Sequence, residues 1–194
     1  MIYKILISLI SFIFVFGCAS KQDYNITKID ISTYKSIIID ANDLLIDDQS
    51  ENSIEYPFID HLVLYNMKFY LNEWINTRIV PNYKSHNQIK LTIKKANIKA
   101  FYLDSNNKIE DIFVNKAAKR VEIDVYVTIK IIDSNDKNLA YIDLKAFKSK
   151  ELAENISLNE NDHVIQNMIN ETLMDFDKLA VAKIKEIFSD YLSI

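Results

Sequence analysis

Apolar and polar positions change period several times along this chain, and each change marks an element. Ile5 to Phe16 form a run of apolar residues broken only by Ser8 and Ser11, preceded by Met1-Ile2-Tyr3-Lys4 and followed by Gly17-Cys18-Ala19-Ser20. A basic start, a short apolar stretch and a small residue at its end are the marks of a secretory signal, and the run is too short for a spanning helix. Residues 19–33 scatter apolar positions at no sustained period and read as a tether. Ile37-Ile38-Ile39, continued through Leu44-Leu45-Ile46, is rich in β-branched residues and predicts a strand buried on both faces or leading into one.

From Pro57 the period becomes helical. Val63, Met67, Tyr70, Leu71 and Trp74 share a face, and either Asp60 or Asn66 can supply the N-cap. Pro81 ends this helix, with Trp74 expected in the core and Arg78 expected to stack on that ring or to pair with a carboxylate. Ile89, Leu91 and Ile93 alternate with polar residues until the phase slips at Lys95-Ala96, which predicts a bulge. A turn at 104–108 and a long connection to Lys119 follow, carrying the apolar triplet Ile112-Phe113-Val114. Val121, Ile123, Val125, Val127, Ile129 and Ile131 then face inward, with Arg120, Glu122, Asp124, Tyr126, Thr128 and Lys130 outward, so this strand has one wet face. After a turn at 133–138, Ala140, Ile142, Leu144 and Ala146 alternate with Tyr141, Asp143, Lys145 and Phe147, completing an antiparallel hairpin. The two alanines leave room for a bulky neighbour. A long helix opened by Ser157-Leu158-Asn159-Glu160 supplies it, with a stripe through Ile165, Ile169, Thr172, Phe176, Leu179, Ala180, Ile184 and Ile187.

The expected fold class is therefore α+β: a two-layer sandwich of order β-α-β-β-β-α, its four-stranded, mainly antiparallel sheet covered on one face by two helices. The expected organisation is a signal peptide over 1–17, a modified N-terminus and tether over 18–33, and a single α/β domain over 34–194.

Composition narrows the chemistry. The sole glycine, Gly17, leaves with the signal, so the mature chain cannot build a P-loop, a dinucleotide fingerprint or a G-x-S-x-G elbow, which need glycine backbone freedom. His61, His86 and His163 lie far apart, without metal-ligand spacing, and no metal or other cofactor is expected. The formal charge of −4 becomes −5 when Lys4 is removed, which leaves no basic footprint for nucleic acid. An enzyme is not expected.

Val15-Phe16-Gly17-Cys18, holding the only cysteine, resembles the bacterial lipobox. The resemblance implies cleavage before Cys18, acylation of its thiol and membrane attachment, with Ala19 implying the periplasmic face of the outer membrane. The order of elements looks like that of small envelope lipoproteins, such as the outer-membrane lipoprotein of lipopolysaccharide transport and the auxiliary lipoproteins of ABC-type lipid-trafficking systems. Pro57-Phe58-Ile59-Asp60-His61 with Trp74 and Arg78 resembles a P-x-[VI]-[DE]-H … W-x-x-x-R pattern of uncharacterised alphaproteobacterial lipoproteins. What these resemblances imply is a non-enzymatic binding or scaffolding subunit of an envelope transport or assembly complex, or else a carrier of a hydrophobic ligand. The candidate surfaces for an envelope protein partner are the outward row Tyr126, Thr128, Tyr141 and Asp143 and the triplet Ile112, Phe113, Val114, since exposed aromatics beside polar groups suit interfaces.

Overall fold

The computed structural model describes residues 28–103, 117–153 and 156–193. Strands β1 (Ile37–Ile39) and β2 (Asp43–Asp48) precede helix α1 (Met67–Arg78), which leads directly into β3 (Ile79–Pro81). Three long strands follow, β4 (Gln88–Tyr102), β5 (Ala117–Ile132) and β6 (Asn138–Ala153), and helix α2 (Leu158–Ile187) closes the fold. The main sheet has the order β2-β4-β5-β6, with β2 parallel to β4 and the other pairs antiparallel. Both helices pack on one face, which is the two-layer α+β sandwich expected from the alternation of β5 and β6.

The first apolar block does not form a single buried strand. It divides at Asp40: β1 pairs in parallel with β3 in a separate two-stranded sheet, while β2 lies at the edge of the main sheet. At that edge Leu45 and Ile46 remain exposed, because one side of β2 has no neighbouring strand to shield it. The chain end returns to β1, where the Ser193 N–H donates to the Ile38 carbonyl (2.9 Å) and Asn82 Nδ2 reaches both Asp40 Oδ1 and Ser193 Oγ.

All six inward positions of β5 from Val121 to Ile131 are fully buried against α1 and α2. The register of β4 on β5 shifts between Ile93 and Lys95, placing a bulge where the alternation slips. That bulge divides the outer edge of β4 into two pairings. β2 covers its first half, and the segment after Pro57 covers the second, with Ile59 N donating to the Ile98 carbonyl and Ala100 N to the Pro57 carbonyl. Buried Asn97 spans the changeover by donating Nδ2 to the Glu51 carbonyl (3.0 Å).

Asn66, not Asp60, caps α1: its side chain accepts from Phe69 N (3.0 Å). Asp60 begins a single 3-10 turn, and both of its carboxylate oxygens take the Ile98 N–H at 3.1 Å. Burial dominates there and raises the Asp60 carboxyl above its usual range. Ser157 caps α2 as expected, accepting from Glu160 N. The 30 residues of α2 span about 45 Å, and the helix gives way after Ile187 to a 3-10 turn over Ser189–Tyr191. Among the described residues no helix is long and apolar enough to cross a membrane.

The domain also begins earlier than the expected tether boundary at residue 33. Ile31 is buried in the core, Ile29 packs against it, and the Ile29 N–H donates to the Tyr70 hydroxyl (3.0 Å). Lys28 pairs with Glu73 at 2.5 Å. Residues 28–33 are thus docked along α1.

Candidate partner-binding face

The two helices are locked together through one carboxylate. Trp74, fully buried on α1, donates Nε1 to Asp177 Oδ1 (2.8 Å), and Arg78 one turn later grips the same carboxylate through Nε and Nη2, each at 2.8 Å. The Arg78 guanidinium also donates to the Lys35 carbonyl and lies over the Tyr34 ring, 5.2 Å from its centroid. Phe176 meets the Trp74 ring edge-on at 4.9 Å. Of the two roles expected for it, Arg78 takes the carboxylate, while the ring it lies over is Tyr34 and not Trp74, and the Trp74–Arg78 pair holds α1 on α2. This arrangement orients the layer behind the sheet and leaves the opposite sheet face uncovered.

That outer face is built by period-2 alternation from three strands. Tyr126 on β5 sits between two lysines of the neighbouring strands: Lys94 Nζ lies 4.4 Å and Lys145 Nζ 4.5 Å from its ring centroid. Lys94 also donates to the Tyr126 hydroxyl (3.1 Å). Beside it, the Thr128 hydroxyl donates to Asp143 Oδ1 at 2.5 Å, and Lys94 approaches the same carboxylate at 3.9 Å.

The structure thus brings Tyr126, Thr128, Tyr141 and Asp143 onto one face but does not leave all four free. Thr128 points outward as the alternation predicts but is only 4% exposed, because the neighbouring side chains close over it while its hydroxyl is satisfied by Asp143. Tyr126 is half-buried beneath its lysines. Tyr141 stands 56% exposed, and Phe147, on the same outward row of β6, is 60% exposed. Phe147 is the strongest apolar feature of the face, and its place in the outward row of β6 follows from the alternation, although the expected surface did not include it. Ile112, Phe113 and Val114, and also Cys18, lie outside the described residues.

A groove of about 580 Å³ lies on the other side of the molecule, between residues 28–32 and α1. Its walls mix the apolar stems and side chains of Ile29, Ile31 and Lys28 with the polar groups of Asp30, Ser32 and Glu73. The space between sheet and helices is filled by the chain's own core. Among the described residues no group of three or more His, Cys, Asp or Glu side chains is placed to hold a metal ion.

No protein-family model and no curated protein matches the sequence. Among solved structures, the chain is similar to rare lipoprotein B from Shewanella oneidensis, with 7% identity over 75% of this chain and 96% of that one, at a TM-score of 0.38. It is similar to a minor lipoprotein from Acinetobacter baumannii, with 11% identity over 79% and 96% of the two chains and a TM-score of 0.35. A Xanthomonas campestris protein of the DUF330 family is similar over 79% of this chain and 91% of its own, at 6% identity and a TM-score of 0.36.

Proposed function

We propose that this chain is a lipid-anchored, non-enzymatic binding or scaffolding subunit of the bacterial envelope, which presents the uncovered face of its sheet to a protein partner. The observation that carries the reading is the exposed pair Tyr141 and Phe147 on a face that neither helix covers. Rigid strands hold both rings, so little ordering entropy is lost when a partner closes on them, and aromatic anchors with a charged rim suit a protein interface. The anchor is Cys18, placed directly after the signal-like run; with more than one acyl chain such an anchor holds a domain stably at a membrane. Ala19 next to it favours the outer membrane, with the domain on the periplasmic face.

A carrier of hydrophobic ligands would need an apolar cavity between sheet and helices, and the side chains that fill that space weigh against the alternative. The test is capture of partners by the tagged, full-length protein from envelope membranes, comparing the parent with Tyr141→Asp and Phe147→Asp. The proposal expects a discrete partner that both variants lose while melting as the parent does. Equal capture by parent and variants would overturn it.

A further inference from the structure

We propose that the end of the molecule formed by Leu62, Leu64 and Leu158 rests on the phospholipid bilayer to which the protein is anchored. This inference rests on the anchoring of Cys18 proposed above and adds the orientation of the domain at that membrane. The first observation is an exposed apolar end. Leu62, the last residue of the 3-10 turn before α1, and Leu64, two residues later, are 71% and 72% exposed. Leu158, the first residue of α2, is 83% exposed. These side chains belong to one surface. Leu62, Val63 and Leu64 line a shallow pocket of about 70 Å³ together with Asp162 and Ile165 of α2, and Leu158 shares their helix face at four- and seven-residue spacing. Gln166 fixes the two segments by donating Nε2 to the Tyr65 carbonyl (3.3 Å).

The second observation is where the anchor leaves the domain. Nine residues separate Cys18 from Lys28, so the acylated residue lies at most about 35 Å from the point where the chain docks, less than the length of α2. Lys28 docks at this same end: its Nζ pairs with Glu73 and lies 5.0 Å from the Phe69 ring centroid. Phe69 in turn contacts Tyr65 (5.3 Å between centroids), the residue after Leu64. The leash therefore holds the leucines near the membrane, and their burial at the boundary between headgroups and acyl chains is favourable in proportion to the apolar area removed from water. Asp162 at the rim of the patch gains nothing from anionic headgroups, so the docking rests on apolar burial and suits a bilayer rich in phosphatidylethanolamine. The uncovered sheet face lies on the opposite side of the sheet from α1, where it remains available to a partner.

The experiment uses the full-length lipidated protein in vesicles of phosphatidylethanolamine and phosphatidylglycerol. Acylation leaves Cys18 without a free thiol, so Leu64→Cys, Leu158→Cys and the control Tyr141→Cys can each be labelled with an environment-sensitive dye. The expected result is a blue shift, with loss of emission when spin-labelled lipid is included, for dyes on Leu64→Cys and Leu158→Cys but not on Tyr141→Cys. A protein that stays on vesicles while all three dyes respond alike would overturn the docking proposal and leave the anchor standing. Shielding of the first two dyes from aqueous iodide without lipid quenching would also overturn it, by showing that a protein or a second copy of this chain covers the patch. Labelling of Cys18 itself in the parent, with release from vesicles, would overturn both the anchor and the docking.

Discussion

Removing the Asp177 carboxylate should expose how much of the stability of this fold passes through one side chain. Asp177→Ala strips the acceptor from Trp74 Nε1 and from Arg78 Nε and Nη2 together, and leaves the guanidinium, 12% exposed, beside apolar rings. Breaking a buried pair by deleting one partner costs about 3–5 kcal/mol, and the slight solvent access at both partners places this case near 3 kcal/mol. A loss of that size lowers the melting temperature by about 6–12 °C in a domain of this length. Trp74 is the sole tryptophan, so its fluorescence during urea denaturation reports the site directly. The midpoint should fall with the slope unchanged. The double variant Arg78→Met/Asp177→Leu removes the stranded cation and should recover part of the loss, the remainder being the Trp74 Nε1 donor left without its acceptor. A loss below about 1 kcal/mol for Asp177→Ala, the range of an exposed ion pair, would refute the reasoning.

Cys18→Ser should accumulate as unprocessed precursor, read by the mass of the protein; normal processing to soluble protein would remove the anchor. Burial raises the Asp60 carboxyl above its usual 3.8, so the folded state binds more protons than the unfolded state between those values. Stability from this group is accordingly greatest below pH 3.8 and falls as the pH rises through the raised value; Asp60→Asn should flatten that part of the pH–stability curve, and an unchanged slope would contradict the assignment. Asp136 has a left-handed backbone with φ of 59°, so Asp136→Val should cost about 1–2 kcal/mol while Asp136→Gly is neutral or slightly stabilising, both read by thermal melting.

The parts of this fold set by local pattern were legible in the sequence. The β5 alternation gave its buried face, the phase slip gave the bulge before Lys95, and Ser157 marked the start of α2. Contacts between distant segments were not. The division of residues 37–48 depends on two separate parallel pairings, with β3 and with β4, and parallel pairing leaves no turn signal to read. Asp60 was an acceptable cap by residue type, yet its carboxylate was drawn to the Ile98 amide, 38 residues away. Ile29 and Ile31 looked like scattered apolars until Tyr70 and the core beneath it gave them a place. Asp177 could have been noticed as an acid set among Leu173, Phe176 and Ala180, but its match to Trp74 and Arg78 needed the crossing of two helices. On the candidate face, alternation identified the outward row correctly, while the closure over Thr128 and the lysines around Tyr126 came from neighbouring strands.

Site-specific photocrosslinking in intact cells tests the central claim, that the uncovered sheet face receives an envelope protein. A benzophenone amino acid replaces Phe147 in one strain and Lys185 in another, the latter exposed near the end of α2 and away from that face. The account predicts a discrete, higher-mass adduct with an envelope protein from position 147 and none from position 185. The absence of an adduct from 147, or the same adduct from both positions, would contradict it.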